Sequence, residues 1–174
     1  MPIHWSRNIL KQSKSEIMKK SDGKSQISLL LQVAEVKVKY HSNLPITSHH
    51  RVSNSSDAEK IFRMNWSEDM ELVEEFNILF LNRANYVKGI FRLTHGGITG
   101  TVADPRILFA SALKGLAVWF IAGHNHPSGS TKPSKQDIEI TKKIKEAAGL
   151  FDIQVLDHFI LGDGYYSMAD IGVL

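Results

Sequence analysis

Residues 116–137 read LAVWFIAGHNHPSGSTKPSKQD, and the interpretation of the whole chain depends on this stretch. Its first seven residues form a short apolar run rich in β-forming side chains, which is typical of a buried strand. His124 and His126 follow this run. Because residues i and i+2 of an extended chain point the same way, both rings can reach one point while Asn125 faces away. The sequence therefore predicts a buried strand that delivers two imidazoles to one site.

A turn and then a helix follow the histidines. Prolines and a glycine break regular structure over residues 127–133, and apolar residues recur at helical spacing from Ile138 to Ala148. Asp137 therefore lies in the first turn of this helix, where its carboxylate can reach back toward the histidines. Two histidines and one carboxylate are ligands that zinc takes when a fourth position stays open for water.

The start of this helix also has a purely structural interpretation. Ser134 and Asp137 fit an acidic capping box, with Ser134 as the N-cap and Asp137 favoured by the helix dipole. A His-Pro-Ser-Gly turn and two histidines two residues apart are each common without any ligand. The complete spacing is harder to obtain by accident, so the metal site is preferred while both interpretations stay open.

The complete pattern is His-x-His, ten further residues and Asp, with Ser three residues before the Asp. It resembles the metal motif of the JAB/MPN (JAMM) metalloprotease-like fold, and the wording HNHPSG with PSxxD resembles its RadC branch. The resemblance covers about residues 53–174 and includes EEFNILFLN at 74–82, GITGT at 97–101, DPR at 104–106 and VLDH at 155–158. It implies an α/β/α sandwich of the cytidine deaminase-like type. It also implies that His124, His126 and Asp137 hold Zn²⁺, with a glutamate from an early strand acting through the zinc-bound water.

Two adjacent residues, Glu74 and Glu75, are candidates for this glutamate, and on a strand they must point to opposite faces. Aligning the apolar run at 78–79 with the strand of the family places the catalytic acid at Glu74, with Glu75 as the alternative. From composition alone, the better interpretation is that both are solvated residues at the start of a strand, and only the resemblance favours Glu74. Ser134 is predicted to donate a hydrogen bond to the developing oxyanion.

Periodicity and breakers predict an α/β chain in the order β, α, β, β, β, α, β, α, β, β, which is a mixed sheet flanked by helices. Strands are predicted at 33–40, 76–81, 86–94, 97–100, 116–122, 153–160 and 165–168. Helices are predicted to start at a capping box of Ser56 with Glu59, at Asp104 followed by Pro105, and at Ser134.

Two further histidines are assigned roles outside the ligand set. His158 lies among apolar residues of a predicted strand, and we interpret it as a hydrogen-bonded structural histidine rather than a fourth ligand. His95 lies beside two glycines, and we place it at the rim of the site.

Composition limits the classes of function. The chain has 174 residues, of which 43% are hydrophobic and 22% charged, which suits one globular domain with a proper core. It contains no cysteine, which excludes disulfides, cysteine zinc sites and a cysteine nucleophile, and fits a cytoplasmic protein. No apolar run approaches the roughly 18 residues of a membrane span, and the N-terminus lacks the apolar core of a signal peptide.

Positive charge is concentrated at the N-terminus. Residues 1–24 carry six Lys and Arg against two acidic residues, a net charge of +4 that exceeds the +3 of the whole chain. We predict that residues 1–28 are a basic, disordered arm that could contact nucleic acid, and that residues 29–174 are the RadC-like JAB/MPN domain, with its motifs in 53–174. Met18 is a second residue at which translation could start.

The sequence and the resemblance together predict a zinc-dependent hydrolase of the JAMM type. It would cleave a peptide or isopeptide-like amide in an unidentified protein or peptide, within a family associated with DNA repair. The helical His-Glu-x-x-His of common zinc proteases is absent, and zinc deaminases need cysteines that this chain lacks. One alternative is a non-catalytic binding or scaffold module in DNA repair or mobile-element biology. The other is a metal-dependent nuclease, which the scarcity of basic residues around the motif disfavours.

Overall fold

Five strands and three helices make up the described part of the chain, which in the computed structural model is residue 45, residues 48–96 and residues 103–174. In chain order they are α1 (Ser55–Asn65), β1 (Glu75–Leu81), β2 (Val87–His95), α2 (Pro105–Lys114), β3 (Trp119–Asn125), α3 (Lys135–Gly149), β4 (Gln154–Leu161) and β5 (Tyr165–Ser167). All of them belong to one compact unit, Val38–Leu174. The predicted arm over 1–28 and the predicted strands over 33–40 and 97–100 lie outside the described residues.

The strands form one mixed sheet in the order β2-β1-β3-β4-β5, with β3 at its centre. β3 and β4 are parallel, and the other neighbouring pairs are antiparallel. The predicted hairpin of β1 and β2 is confirmed. The side-chain oxygen of Asn82 accepts hydrogen bonds from the backbone N–H groups of Ala84 and Tyr86, at 2.9 and 3.0 Å, and so closes the turn between them.

Helices cover both faces of the sheet, so the predicted α/β/α sandwich is confirmed. On the face that we call the α2–α3 face, one apolar core joins the sheet to these two helices. Its buried members include Phe76, Ile78, Phe120, Leu108, Phe109, Ala112, Ile144 and Ala148. On the opposite face, which we call the α1 face, a second core joins the sheet to α1. Its buried members include Ala58, Ile61, Phe62, Trp66, Leu79, Ile121 and Phe159.

The predicted starts of α2 and α3 are confirmed, with Asp104 and Ser134 as N-caps. The predicted start of α1 at Ser56 is wrong. The N-cap is Asn54, whose side chain accepts a hydrogen bond from the Asp57 N–H at 3.0 Å. Asn and Ser are both good caps, and the extended backbone of Asn54 (φ −156°, ψ 174°) ends the preceding segment two residues earlier than the capping-box pattern indicates.

The central strand begins three residues later than predicted, at Trp119 instead of residue 116. Leu116 has a φ of 48°, and the N–H of the next residue, Ala117, donates to the carbonyl of Ala112 in α2. Residues 115–117 therefore close the C-terminus of the helix and do not extend the strand. The shift places His124 inside β3 and not beyond its end. No helix in the described residues is long and apolar enough to cross a membrane.

Candidate metal centre

β3 carries His124 near its C-terminal end, on the α2–α3 face. The residue is 1% exposed and pairs with Phe76 of β1, and the two rings stack with their centroids 5.9 Å apart. The backbone N–H of His126 still donates to the carbonyl of Leu161 at 2.8 Å, so the chain remains bound to β4 as it leaves the sheet. Asn125 faces away, as predicted, and its side chain donates to the carbonyls of Met70 and Val73.

The side chains of His124, His126 and Asp137 meet in one place, which we call the ligand cluster. The Nε2 atoms of the two histidines lie 3.1 Å apart. Asp137 approaches from the first turn of α3, with Oδ1 at 3.2 Å from Nε2 of His124 and Oδ2 at 3.7 Å from Nε2 of His126. In the described part of the chain, no other group of His, Asp and Glu side chains comes together in this way.

The spacing of these donor atoms fits a zinc ion. Zn–N and Zn–O bonds of about 2.0–2.1 Å in a tetrahedral arrangement place neighbouring ligand atoms about 3.3 Å apart. The three separations in the ligand cluster, 3.1, 3.2 and 3.7 Å, lie close to this value. Three protein ligands also leave one tetrahedral position for water or substrate, as in catalytic zinc sites.

Asp137 satisfies both interpretations of the helix start. Its Oδ2 accepts a hydrogen bond from the Ser134 N–H at 2.6 Å, and its own N–H donates to Oγ of Ser134 at 3.2 Å, which completes the capping box. The same carboxylate faces both histidines. Capping thus holds the carboxylate at the cluster. The role of Ser134 as an oxyanion donor stays a prediction.

The cluster is electrostatically coupled. Burial alone would raise the pKa of Asp137, but the interactions of its carboxylate with the His124 and His126 rings outweigh it and hold the pKa well below its ordinary value. The hydrogen bond to Asp137 raises the pKa of His126, and the negative charge of Glu74 adds to this effect.

Hydrogen bonds from behind hold both imidazoles. Nδ1 of His126 lies 3.0 Å from the carbonyl oxygen of Ser130, which can only accept, so Nδ1 carries a proton and Nε2 is directed at the cluster. Nδ1 of His124 lies 2.9 Å from Nε2 of His158. His158 is fully buried, and burial lowers its pKa well below the ordinary value, so its ring is neutral. The interpretation of His158 as a hydrogen-bonded structural histidine is confirmed.

The structure separates Glu74 from Glu75. Glu75 is 1% exposed and lies on the α1 face, where its Oε1 accepts hydrogen bonds from Ser67 and His95. Glu74 lies one residue before β1, and its carbonyl accepts from the Gly96 N–H at 2.8 Å, so it continues the pairing with β2. By alternation we infer that its side chain projects to the face of Phe76 and of the ligand cluster. Glu74 is half-buried there. This geometry supports Glu74 as the candidate acid and argues against Glu75.

His95 contacts Glu75 and not the ligand cluster. Its Nδ1 lies 2.8 Å from Oε1 of Glu75, and its Nε2 lies 3.8 Å from Oδ2 of Asp69. His95 and Glu75 are directly paired between β2 and β1, and paired residues project to the same face. The structure therefore does not support the predicted position at the rim of the site.

Sequence reasoning missed one residue close to the cluster, Thr141. It lies one helical turn after Asp137 and is buried against His158. The available signal was the i, i+4 spacing from Asp137, which places both side chains on one face of α3. A buried threonine in a helix looks unremarkable in sequence, so this signal alone did not identify it.

The loop after β3 is hydrogen-bonded to the β4–β5 turn. The N–H of Asp163 donates to the carbonyl of Gly129 at 3.0 Å. From α1, Nη2 of Arg63 donates to the carbonyls of Gly162 and Gly164 at 3.2 and 2.8 Å. Gly129 has a φ of 79°, which favours glycine, and Gly162 packs directly on it. The turn thereby supports the loop that presents His126.

Replacing Gly162 with alanine should destabilise the protein by about 1–3 kcal/mol or more and weaken zinc binding. A Cβ at this position would lie 2.2 Å from the carbonyl oxygen of Gly129, and this backbone cannot yield without moving the His126 loop. Chemical denaturation and zinc titration measure the two effects. Gly164→Ala is the matched control, because a Cβ there meets nothing within 4 Å. Equal stability of the two variants would contradict this account of the loop.

A polar groove of about 330 Å³ opens beside the cluster. Its walls are formed by α1 and the segment before β1 on one side, and by the His126 loop and the β4–β5 turn on the other. The lining residues include Arg63, Met70, Glu71, His126, Ser128 and Asp163. A substrate bound at the cluster can therefore extend past His126 along a polar surface.

Comparison with known proteins matches residues 52–173 to the family model of the RadC-like JAB domain. A UPF0758 protein of Flavobacterium johnsoniae is 46% identical over 101 residues, which is 58% of this chain and 44% of the relative. A UPF0758 protein of Clostridium tetani is 32% identical over 146 residues, which is 83% of this chain and 62% of the relative. The chain spans about half the length of most of the curated relatives that it matches.

Proposed function

The chain belongs to the RadC-like JAB domain family, and on this basis we propose that it is a zinc-dependent amide hydrolase of the JAMM type. The observation that carries the proposal is the ligand cluster, whose donor spacing fits zinc. Bound to His124, His126 and Asp137, zinc would supply a Lewis acid that polarises a carbonyl and makes water acidic enough to attack it.

Glu74 is the proposed general base and acid. Its carboxylate takes a proton from the attacking water as the oxygen bonds to the carbonyl carbon, and gives that proton to the amine nitrogen as the C–N bond breaks. The half-buried position of Glu74, two residues before the Phe76 that pairs with His124, supports this role. Ser134 lies at the helix start beside Asp137, and we assign its hydroxyl a hydrogen bond to the developing oxyanion.

The proposed substrate is a peptide or isopeptide bond in a protein or peptide. The groove beside His126 offers polar side chains and backbone groups to a polypeptide that flanks the scissile amide. Nothing in the cluster itself requires a phosphate. His126 and Asp137 are ligands, and Arg63, the basic residue of the groove, is bonded to Glu59 and to two carbonyls.

Zinc content tests the proposal. Protein purified without chelator should contain about one zinc per chain by elemental analysis. A His124→Ala/His126→Ala double variant should contain none. Amide hydrolysis, assayed on libraries of peptides and isopeptides, should disappear on chelation and return when zinc is restored. A folded wild type that neither contains zinc nor takes it up on addition would refute the proposal.

A further inference from the structure

We propose that Thr141 and His158 are positioning residues that determine which ring nitrogen of His124 is offered to the metal. They form a buried chain of hydrogen bonds from the backbone of Asp137 to the back of the His124 ring. The inference rests on the proposed role of His124 as a zinc ligand. Neither residue touches the cluster from the metal side, so both act through His124.

The chain of contacts is continuous. Oγ1 of Thr141 lies 2.5 Å from the carbonyl oxygen of Asp137 and 2.5 Å from Nδ1 of His158. Nε2 of His158 lies 2.9 Å from Nδ1 of His124. The side chains of Thr141, His158 and His124 are all buried. Water is therefore not available to replace a missing partner.

The chemistry of each group sets the direction of the hydrogen bonds. The carbonyl of Asp137 can only accept, so Thr141 uses its single proton there and accepts from Nδ1–H of His158. Above the ordinary imidazole range the ring carries one proton, so His158 then has an unprotonated Nε2, which lies 2.9 Å from Nδ1 of His124 and accepts from its N–H. The remaining nitrogen of His124, Nε2, is left unprotonated. This is the atom that faces His126 and Asp137.

Asp137 is tied to both nitrogens of the His124 ring. Its carboxylate approaches Nε2 at 3.2 Å, and its backbone carbonyl reaches Nδ1 through Thr141 and His158. This series of hydrogen bonds through Thr141 and His158, which we call the relay, therefore couples the start of α3 to the end of β3. These two elements supply the proposed ligands. A displacement of the helix would disturb the ring orientation as well as the carboxylate.

A β-bulge in β4 brings His158 to the face of the sheet that carries His124. Phe120 and Ile121 of β3 pair with Val155 and Asp157 of β4, so Leu156 is an extra residue in β4. Without this bulge, alternation would send the side chain of His158 to the α1 face. With the bulge, His158 pairs with Ala122 and lies on the α2–α3 face beside His124.

The packing also restricts both rings. Phe76 stacks on His124 with an angle of 4° between the ring planes, and its centroid lies 5.1 Å from that of His158. The relay is therefore held on one side by the sheet and on the other by α3. Hydrogen-bond partners behind metal ligands typically change affinity by about 10–100-fold when removed, and we expect an effect of this size here.

The test compares Thr141→Val, which keeps the shape and removes the hydroxyl, with Thr141→Ser, which keeps the hydroxyl. Zinc affinity, measured by competition with a chromophoric chelator, should fall by about 10–100-fold in Thr141→Val. Thr141→Ser should stay within about threefold of wild type. Thermal melts of the metal-free proteins show whether each variant is folded.

A second measurement does not need the metal. In metal-free protein at a pH of about 8.5, above the ordinary imidazole range, nitrogen-15 NMR of the histidine rings should show His124 with its proton on Nδ1. In Thr141→Val this preference should be lost or mixed. Wild-type His124 with its proton on Nε2, or a Thr141→Val variant that melts earlier but binds zinc as wild type does, would overturn the proposal. A wild type with the expected tautomer but no zinc affinity would instead refute the proposed function.

Discussion

Replacing Glu74 with glutamine should lower the turnover of an amide substrate by about 10²–10⁴-fold while zinc affinity stays within about threefold of wild type. Glutamine has nearly the same shape, but its amide cannot take a proton from the attacking water or give one to the leaving amine. Glu74 lies outside the ligand cluster, so zinc binding should be retained. The measurement is kcat on the substrate found with the wild type, together with zinc content of the same preparation.

Glu75→Gln is the matched control, because it changes the adjacent residue in the same chemical way. Glu75 is buried on the α1 face, where it accepts hydrogen bonds from Ser67 and His95. Both bonds end on Oε1, which an amide oxygen can replace, but the amide NH2 would take the buried place of Oε2, which has no hydrogen-bond partner among the described residues. We therefore expect a loss of about 1–3 kcal/mol in the free energy of unfolding. Turnover per folded molecule should change little. Full activity in Glu74→Gln, or a larger loss in Glu75→Gln, would remove Glu74 from the mechanism.

The choice between Glu74 and Glu75 shows which part of the site could be predicted from the sequence and which part required the structure. Strand alternation requires them to face opposite sides, and this could be predicted without a structure. Which side carries the ligands depends on how β1 pairs with β3. The pairing of Phe76 with His124 answers that question, and pairing between distant segments is not a property of either segment alone.

Other features also divide into local ones, which the sequence predicts, and ones that depend on contacts between distant segments. The helix starts at Asp104 and Ser134 are local, because a cap and its partners lie within four residues of each other, and both were predicted correctly. The role of His158 was predicted in outline. Its partners were not, because the bulge at Leu156 that brings it beside His124 reflects the fit of β4 to β3 and leaves no periodic signal.

The position of Asp137 was ambiguous in sequence because a helix cap and a metal ligand require the same residue type at the same place. The structure shows that one oxygen of the carboxylate caps the helix while both oxygens lie within reach of the histidines. Capping restricts the Asp137 side chain, and metal binding requires the same restriction, so the two roles are compatible. The two roles can still be separated experimentally.

Asp137→Asn should weaken zinc binding by more than about 100-fold, because removing a ligand should exceed the effect of removing a partner behind one. Asparagine is neutral and a poor zinc ligand, but its side-chain oxygen can still accept from the Ser134 N–H, so the helix start should persist. The measurements are zinc affinity by chelator competition and the helical signal in circular dichroism of the metal-free protein.

Ser134→Ala should show the opposite pattern. It removes the hydroxyl that accepts from the Asp137 N–H, which should cost about 1 kcal/mol in the free energy of unfolding. Zinc affinity should stay within about threefold of wild type, because the Ser134 N–H still bonds to the Asp137 carboxylate. Turnover should fall, because the hydroxyl is the proposed hydrogen-bond donor to the oxyanion. If Ser134→Ala lost zinc as completely as Asp137→Asn, the cap and not the carboxylate charge would control the metal site, and Asp137 would have to be reassigned from ligand to helix cap.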